Sequence, residues 1–250
     1  MNDWVKKYTE IADKFNDFGK TFGKTGFKRV EQAAETFALM CIKLCREDAS
    51  SIALLLKKGL YCEAMVILRN SLELLFKIHW VHNGDTHEER NERTYRLEGK
   101  TLSDFQKEVN YMLKKATDES SKELKEIAEK HQKEIDRIKD ESRYLLNERH
   151  NFKSSPSNID MAGDLVRQKF YHNYRYLCMY THSSPLLSDM LLSEDYGEKM
   201  FRESVEQVLD QCAVVYWLIM GLCLNILFDQ VTETFDVRER LCNEMKELVK

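Results

Sequence analysis

The sequence predicts an all-α protein: an up-and-down bundle of about five or six core helices with an inserted, charged antiparallel helical hairpin. Three observations predict it. Helix breakers are scarce, with only two prolines and nine glycines in 250 residues. Charged residues make up 32% of the chain, and Leu, Glu and Lys, which lose little rotamer freedom in a helix, are abundant. Apolar residues recur at spacings of three and four along much of the length, the period of one helix face. A chain this long buries enough apolar surface to hold one core without staples.

The opening segment, Asp3 to about Phe18, sets Trp4, Tyr8, Ile11, Phe15 and Phe18 on one face and reads as an amphipathic helix. Gly19-Lys-Thr-Phe-Gly-Lys-Thr25 follows it. Three residues rather than four separate its glycines and no strand precedes them, so it reads as a glycine loop between helices and not as a phosphate loop. A long helix is expected from about Phe27 to Lys57, with Gly59 marking its end. The next helix spans the apolar stretch Leu60–Val81, in which Arg69 and Glu73 stand one turn apart.

From Asn83 to about Pro156 acids and bases are nearly balanced and the apolar residues thin to a seam. Leu102, Phe105, Val109 and Met112 form one stripe; Leu124, Ala128, His131, Ile135, Ile138, Ser142 and Leu145 form another, with Thr117–Ser121 between them. Two narrow stripes joined by a polar turn make an antiparallel hairpin resembling a coiled coil. The domain organisation expected is one helical domain over 1–250, with 84–156 as a projecting arm. Beyond the polar loop Asn151–Asn158 the chain re-enters the core through Asp160–Thr181 and Glu198–Phe228.

Several function classes are disfavoured. The start Met-Asn-Asp-Trp has no basic segment followed by an apolar run, so no secretory signal is expected. Cys212–Phe228 is apolar but shorter than the ~20 residues a bilayer requires. Asp210 and Asp229 flank it and Asn225 interrupts it, so it reads as a central buried helix, and no membrane role is expected. The seven cysteines, at 41, 45, 62, 178, 212, 223 and 242, lack CxxC spacing and read as reduced thiols of a cytoplasmic protein. Cys41 and Cys45, one turn apart without a second pair, read as core packing. A metal site from Glu73, Cys178, His182 or His79 lacks a third convergent ligand in the local sequence, so no metal and no cofactor are expected. His79, His82 and His87 read as structural or solvated. A net charge of −4 does not mark a nucleic-acid binder.

Two charges in an apolar helix need a reason, because an ionised side chain is costly to bury alone. Arg69 and Glu73 project from one face and can reach each other or a common guest. A second polar set lies in Phe170–Pro185, where Tyr171, Tyr174, Arg175, Cys178 and His182 recur at helical spacing. Ser183, Ser184 and Pro185 end that helix, so His182 falls near a helix C-terminus, a place that favours positive charge. A histidine beside an arginine suits acid–base work on a phosphodiester.

Arg69-x-x-x-Glu73, followed by Tyr174-x-x-x-Cys178-x-x-Thr-His182-Ser, resembles an uncharacterised bacterial family of all-helical proteins, in which a serine or small residue usually stands where Cys178 is. That family looks distantly like the HEPN helical proteins, whose functional members are metal-independent ribonucleases. Their motif is an arginine, a polar residue, four to six further positions and a histidine, and Arg175 to His182 fits a version of it. The resemblance covers roughly residues 30–83 and 160–230. It implies an RNA substrate, a composite site across a homodimer and a role in bacterial defence or stress response.

The site expected on this reading comprises His182 as general acid or base and Arg175 on the phosphate, with Arg69, Glu73 and Tyr174 orienting them. The competing expectation is a non-catalytic helical binding protein. In it Arg69, Glu73, Tyr174 and His182 form a buried structural network, and the charged hairpin meets a protein partner.

Overall fold

The computed structural model describes residues 3–24, 32–115, 122–141, 155–182 and 214–227, and among them every regular element is helical. The helices are α1 (Asp3–Lys24), α2 (Ala33–Lys57), α3 (Tyr61–His82), α4 (His87–Lys115), α5 (Lys122–Glu141), α6 (Asn158–Val166), a π-helical turn (Arg167–Tyr171), α7 (His172–Thr181), and one over 214–227. They divide into two compact units, Met1–His82 with Asn158–Lys250, and Asn83–Ser157.

In the first unit α3 packs against α2, α6 and α7. Ala64, Met65, Leu68, Leu72, Leu75, Phe76, Ile78 and Val81 are buried, covering more than one face, as a helix with neighbours on several sides requires. α1 packs on α2, burying Val5, Tyr8 and Ala12, and the Tyr8 hydroxyl lies 3.1 Å from that of Tyr216 on the 214–227 helix. The expected glycine loop is corrected here: α1 continues through Gly19 and Gly23 to Lys24. Each glycine weakens a helix by only about 1 kcal/mol, less than the packing of a long amphipathic face supplies. The expected start of the second helix near Phe27 lies outside the described residues.

α2 ends in a Schellman motif. The Leu60 N–H donates to Leu55 O at 2.9 Å and the Gly59 N–H to Leu56 O at 3.1 Å, with Gly59 at φ +74°, the left-handed conformation that glycine adopts without strain.

The segment after Asn158 reverses direction. Asn158 hydrogen-bonds to Glu73, and Met161 O meets His79 Nδ1, further along α3, at 3.3 Å. The chain then doubles back, so that the Tyr174 ring contacts Phe76 and Cys178 meets Arg69, at successively earlier α3 positions. Gly163 makes the reversal, at φ 60° and ψ 177° within α6. A β-carbon there would sit 3.0 Å from His79 Cε1, so both backbone and space call for glycine. The π turn re-phases the helix that follows and buries Phe170.

In the second unit α4 and α5 pack together around Val109, Ala128 and Ile135, with Phe105 and Met112 against them. The Phe105 and His131 rings stand 4.5 Å apart, and Gln106 Nε2 donates to Gln132 Oε1 at 2.6 Å. At the start of α4, Thr86 Oγ1 accepts the Glu89 N–H at 3.1 Å while Glu89 Oε2 accepts the Asp85 N–H at 2.9 Å, a reciprocal cap. These hydrogen bonds, Asp85's first and then that of Arg93, hold the Glu89 carboxyl below its usual range. Thr117–Ser121, Ser142 and Leu145 of the expected seam lie outside the described residues.

The two left-handed glycines differ in a measurable way. At Gly59 a β-carbon meets nothing within 4 Å, so Gly59→Ala is expected to cost only the backbone term of about 1 kcal/mol. Gly163→Ala is expected to cost up to about 3 kcal/mol, because it adds a steric conflict with His79 to the strain. Urea denaturation of both variants beside the wild-type chain measures the order.

Candidate functional site

Arg69 and Glu73 face the reversal. One turn apart on α3, they close an ion pair with Arg69 Nη2 2.7 Å from Glu73 Oε1. Their side chains are 15% and 22% exposed, too enclosed for water alone to solvate both charges. The remaining hydrogen-bonding capacity is taken up by the two legs of the reversal. Tyr174 from α7 donates its hydroxyl to Glu73 Oε1 at 2.9 Å, and Asn158 Nδ2 donates to the same oxygen at 3.1 Å. That hydroxyl in turn accepts from Asn158 Nδ2 at 2.8 Å and from Arg69 Nη2 at 3.2 Å. One donor and two acceptor sites are a hydroxyl's full capacity, and Tyr174 uses all three.

The guanidinium is held on its other edges too. Arg69 Nε donates to Cys178 Sγ at 3.4 Å, Nη1 to Asn70 Oδ1 at 3.4 Å, and its central carbon lies 5.3 Å from the Tyr174 ring centroid. Phe76 meets Tyr174 edge-on at 5.4 Å, and the Tyr171 and Tyr174 rings lie 5.8 Å apart. An aromatic wall thus flanks the polar centre.

Electrostatics follow from this geometry. Burial, reinforced by donation to the Glu73 carboxylate, pushes the Tyr174 phenol up to about 12, with Asn158 and Arg69 pulling the other way. For Arg69, burial works against the charge, but the contacts with Cys178, Glu73 and Tyr174 outweigh it and hold the guanidinium above its ordinary range. Near neutral pH the centre therefore contains a neutral phenol and a fixed cation. Its evident chemical capacity is to clamp α6 and α7 onto α3.

The structure brings together Arg69, Glu73 and Tyr174 of the five residues singled out in the sequence. It does not join Arg175 or His182 to them: both are exposed, and among the described residues no hydrogen bond or ion pair links either side chain to Arg69, Glu73 or Tyr174. His182 ends α7, its N–H donating to Cys178 O at 3.1 Å. The set Tyr171, Tyr174, Arg175, Cys178 and His182 straddles the edge of the buried face, so that Tyr174 and Cys178 turn inward while Arg175 and His182 turn outward. Asn158 was not anticipated; an amide in a polar loop before a helix carries no signal of a partner on another helix.

A family model described as a family of unknown function, DUF5677, matches residues 35–200. The chain belongs to this family. The DUF5677 match takes in α2 from its third residue, α3, the α4–α5 unit and the α6–α7 reversal, and so contains every residue of the polar centre; α1 and the 214–227 helix fall outside it. No curated protein and no solved structure matches the chain. Among the described residues no group of three or more His, Cys, Asp or Glu side chains is placed to hold a metal ion. None of their helices is long and apolar enough to cross a membrane, and among the described residues Cys41, Cys62, Cys178 and Cys223 are in no disulfide.

Two consequences of this centre are measurable in a DUF5677 protein. Glu73→Ala strips three donors of their acceptor and is expected to cost roughly 3 kcal/mol in urea denaturation, with Glu73→Gln costing less because it keeps an acceptor oxygen. The folded phenol of Tyr174 binds its proton more tightly than an unfolded one. Its contribution is therefore complete below about pH 10, the unfolded value, and is lost as pH rises toward about 12. In thermal melts, the alkaline fall in stability is expected to be shallower in Tyr174→Phe than in wild type.

Proposed function

We propose that the chain is a metal-independent ribonuclease in the manner of the HEPN proteins, with Arg175 and His182 as its reacting pair. The observation that carries this reading is their placement. They stand seven residues apart, Arg175 on α7 and His182 at its C-cap, about 10 Å along the axis, both exposed, with the inner side of the helix clamped by the Tyr174–Glu73–Arg69 network. A reacting pair must meet solvent and stand on a fixed backbone; both side chains are exposed, and Tyr174 seats the helix that presents them.

The chemistry needs only proton movement and charge stabilisation. The RNA 2′-hydroxyl attacks the adjacent phosphorus, the bond to the 5′-oxygen breaks, and a cyclic phosphate and a 5′-hydroxyl result. His182 takes the proton of the attacking hydroxyl or gives one to the leaving oxygen, and the Arg175 guanidinium balances charge on the phosphate oxygens. A second copy of the chain brings a second imidazole, so a homodimer supplies base and acid together. Arg69, Glu73 and Tyr174 are then positioning residues, acting through the seat of α7. The same reading sets the protein in the cytoplasm, where its thiols stay reduced, within an up-and-down bundle carrying the 84–156 hairpin as an arm.

One observation favours a second reading. Every polar atom of Tyr174 is satisfied within the network, which is what a purely structural centre in a non-catalytic interaction protein requires, with the α4–α5 hairpin as its partner surface.

Cleavage of a labelled single-stranded RNA separates the two. The ribonuclease reading expects His182→Ala to lose at least about a hundredfold in rate with an unchanged melting temperature, because His182 is exposed. Arg175→Ala is expected to follow. An inactive wild-type chain, or variants as active as wild type, would remove the ribonuclease reading and leave the structural one.

A further inference from the structure

The outer side of α7 presents basic side chains and no acid. Between Asp164 and Asp189 the sequence contains no carboxylate side chain, in a chain whose acids outnumber its bases by 42 to 38. Within this stretch Phe170, Tyr174, Leu177 and Tyr180 are buried, while Lys169, His172, Arg175 and His182 are exposed. His172 and Arg175 are one turn apart, and His182 lies two turns further along the same side. Lys169 flanks the start of this side from the π turn. Arg167 is engaged by Asp164 at 3.1 Å and is not part of the set. Among the described residues no carboxylate pairs with Lys169, His172, Arg175 or His182. Tyr171 and Tyr176, both half-buried, border the strip with aromatic surface.

An acid-free basic strip on an otherwise acidic protein complements a polyanion. It runs for roughly 20 Å of helix, enough to follow several consecutive phosphates. We infer that this face is a track for the phosphodiester backbone of single-stranded RNA, with Lys169 and His172 as positioning residues that hold phosphates beside the Arg175–His182 pair. The choice of RNA rests on the ribonuclease reading. The single-stranded form follows from chemistry, since a 2′-hydroxyl attacks in line only where the backbone is free to turn. Phosphate contacts set register and affinity without reading bases, so the track predicts cleavage with little sequence preference and strong salt dependence.

The test uses the full chain and a fluorescent RNA oligonucleotide with 2′-O-methyl sugars, which blocks cleavage and lets binding be read by anisotropy. Lys169→Glu with His172→Glu is expected to raise Kd by roughly tenfold and to reduce the slope of log affinity against log salt by at least about 0.7 for the lysine charge lost. Lys107→Glu, an exposed cation on α4, serves as control and is expected to change neither. With unmodified RNA the double variant is expected to raise KM and keep kcat. A wild-type chain that binds no RNA, or a double variant with wild-type Kd and salt slope, would overturn the track. If wild type binds through Lys169 and His172 but leaves unmodified RNA intact, the track stands and the ribonuclease reading falls. If wild type cleaves and the double variant keeps its KM, the reading stands and the track falls.

Discussion

A single carboxylate oxygen, Glu73 Oε1, is where three helical segments meet. It accepts from Arg69 on its own helix, from Tyr174 on α7 and from Asn158 at the start of α6. Arg69 is one turn away and compensates the charge whether or not α7 is docked; the other two donors arrive only when the reversal has formed. The ion pair therefore makes burial of the carboxylate tolerable, and the neutral donors make one docking register better than its neighbours. A shift of α7 by one turn would take the Tyr174 phenol away from Glu73, Arg69 and Asn158 and leave it buried without partners, a larger cost than the apolar contacts of a slipped helix return.

The division of α7 into an inner and an outer side is the second organising fact. On the inside a phenol, a thiol and a guanidinium are fully engaged with one another. On the outside, separated by the width of one helix, cations stand in solvent. A residue that clamps a helix and one that touches a ligand have opposite needs, since the first must be saturated and the second must have capacity to spare. The five polar residues at helical spacing meet both needs because their stripe crosses the boundary between buried and solvated surface.

The helical class, the Gly59 terminator and the α4–α5 seam were legible because each rests on local chemistry: few breakers, a glycine after a periodic run, apolar residues at spacings of three and four. The pairing of Arg69 and Glu73 with Tyr174 was legible for a different reason, since buried charge must find a partner and few polar side chains were available to supply one. Asn158 and Gly163 were not. Asn158 and Tyr174 are sixteen positions apart, which along a straight helix is about 24 Å, yet they hydrogen-bond at 2.8 Å. Only the reversal at Gly163 allows this, and an isolated glycine in a helical pattern looks like a tolerated defect until the His79 ring is seen against it. The side on which Arg175 and His182 fall was also hidden, because the π turn shifts the phase of the helix before α7 begins. Gly19 and Gly23 misled in the opposite direction, suggesting a loop where α1 continues.

The first unit is discontinuous in sequence: it leaves off at His82 and resumes at Asn158. Both of these residues are tied to it by side-chain hydrogen bonds, His82 to Asn225 at 3.4 Å and Asn158 to Glu73 and Tyr174. With its exit and re-entry points fastened, the first unit experiences everything between them as one closed loop. Loop-closure entropy grows only with the logarithm of loop length, about 0.6 kcal/mol for each doubling. The length of the α4–α5 segment is accordingly almost invisible to the fold that carries it. Natural variation can lengthen, shorten or re-surface that segment with little thermodynamic consequence for the polar centre, provided the two fastenings remain.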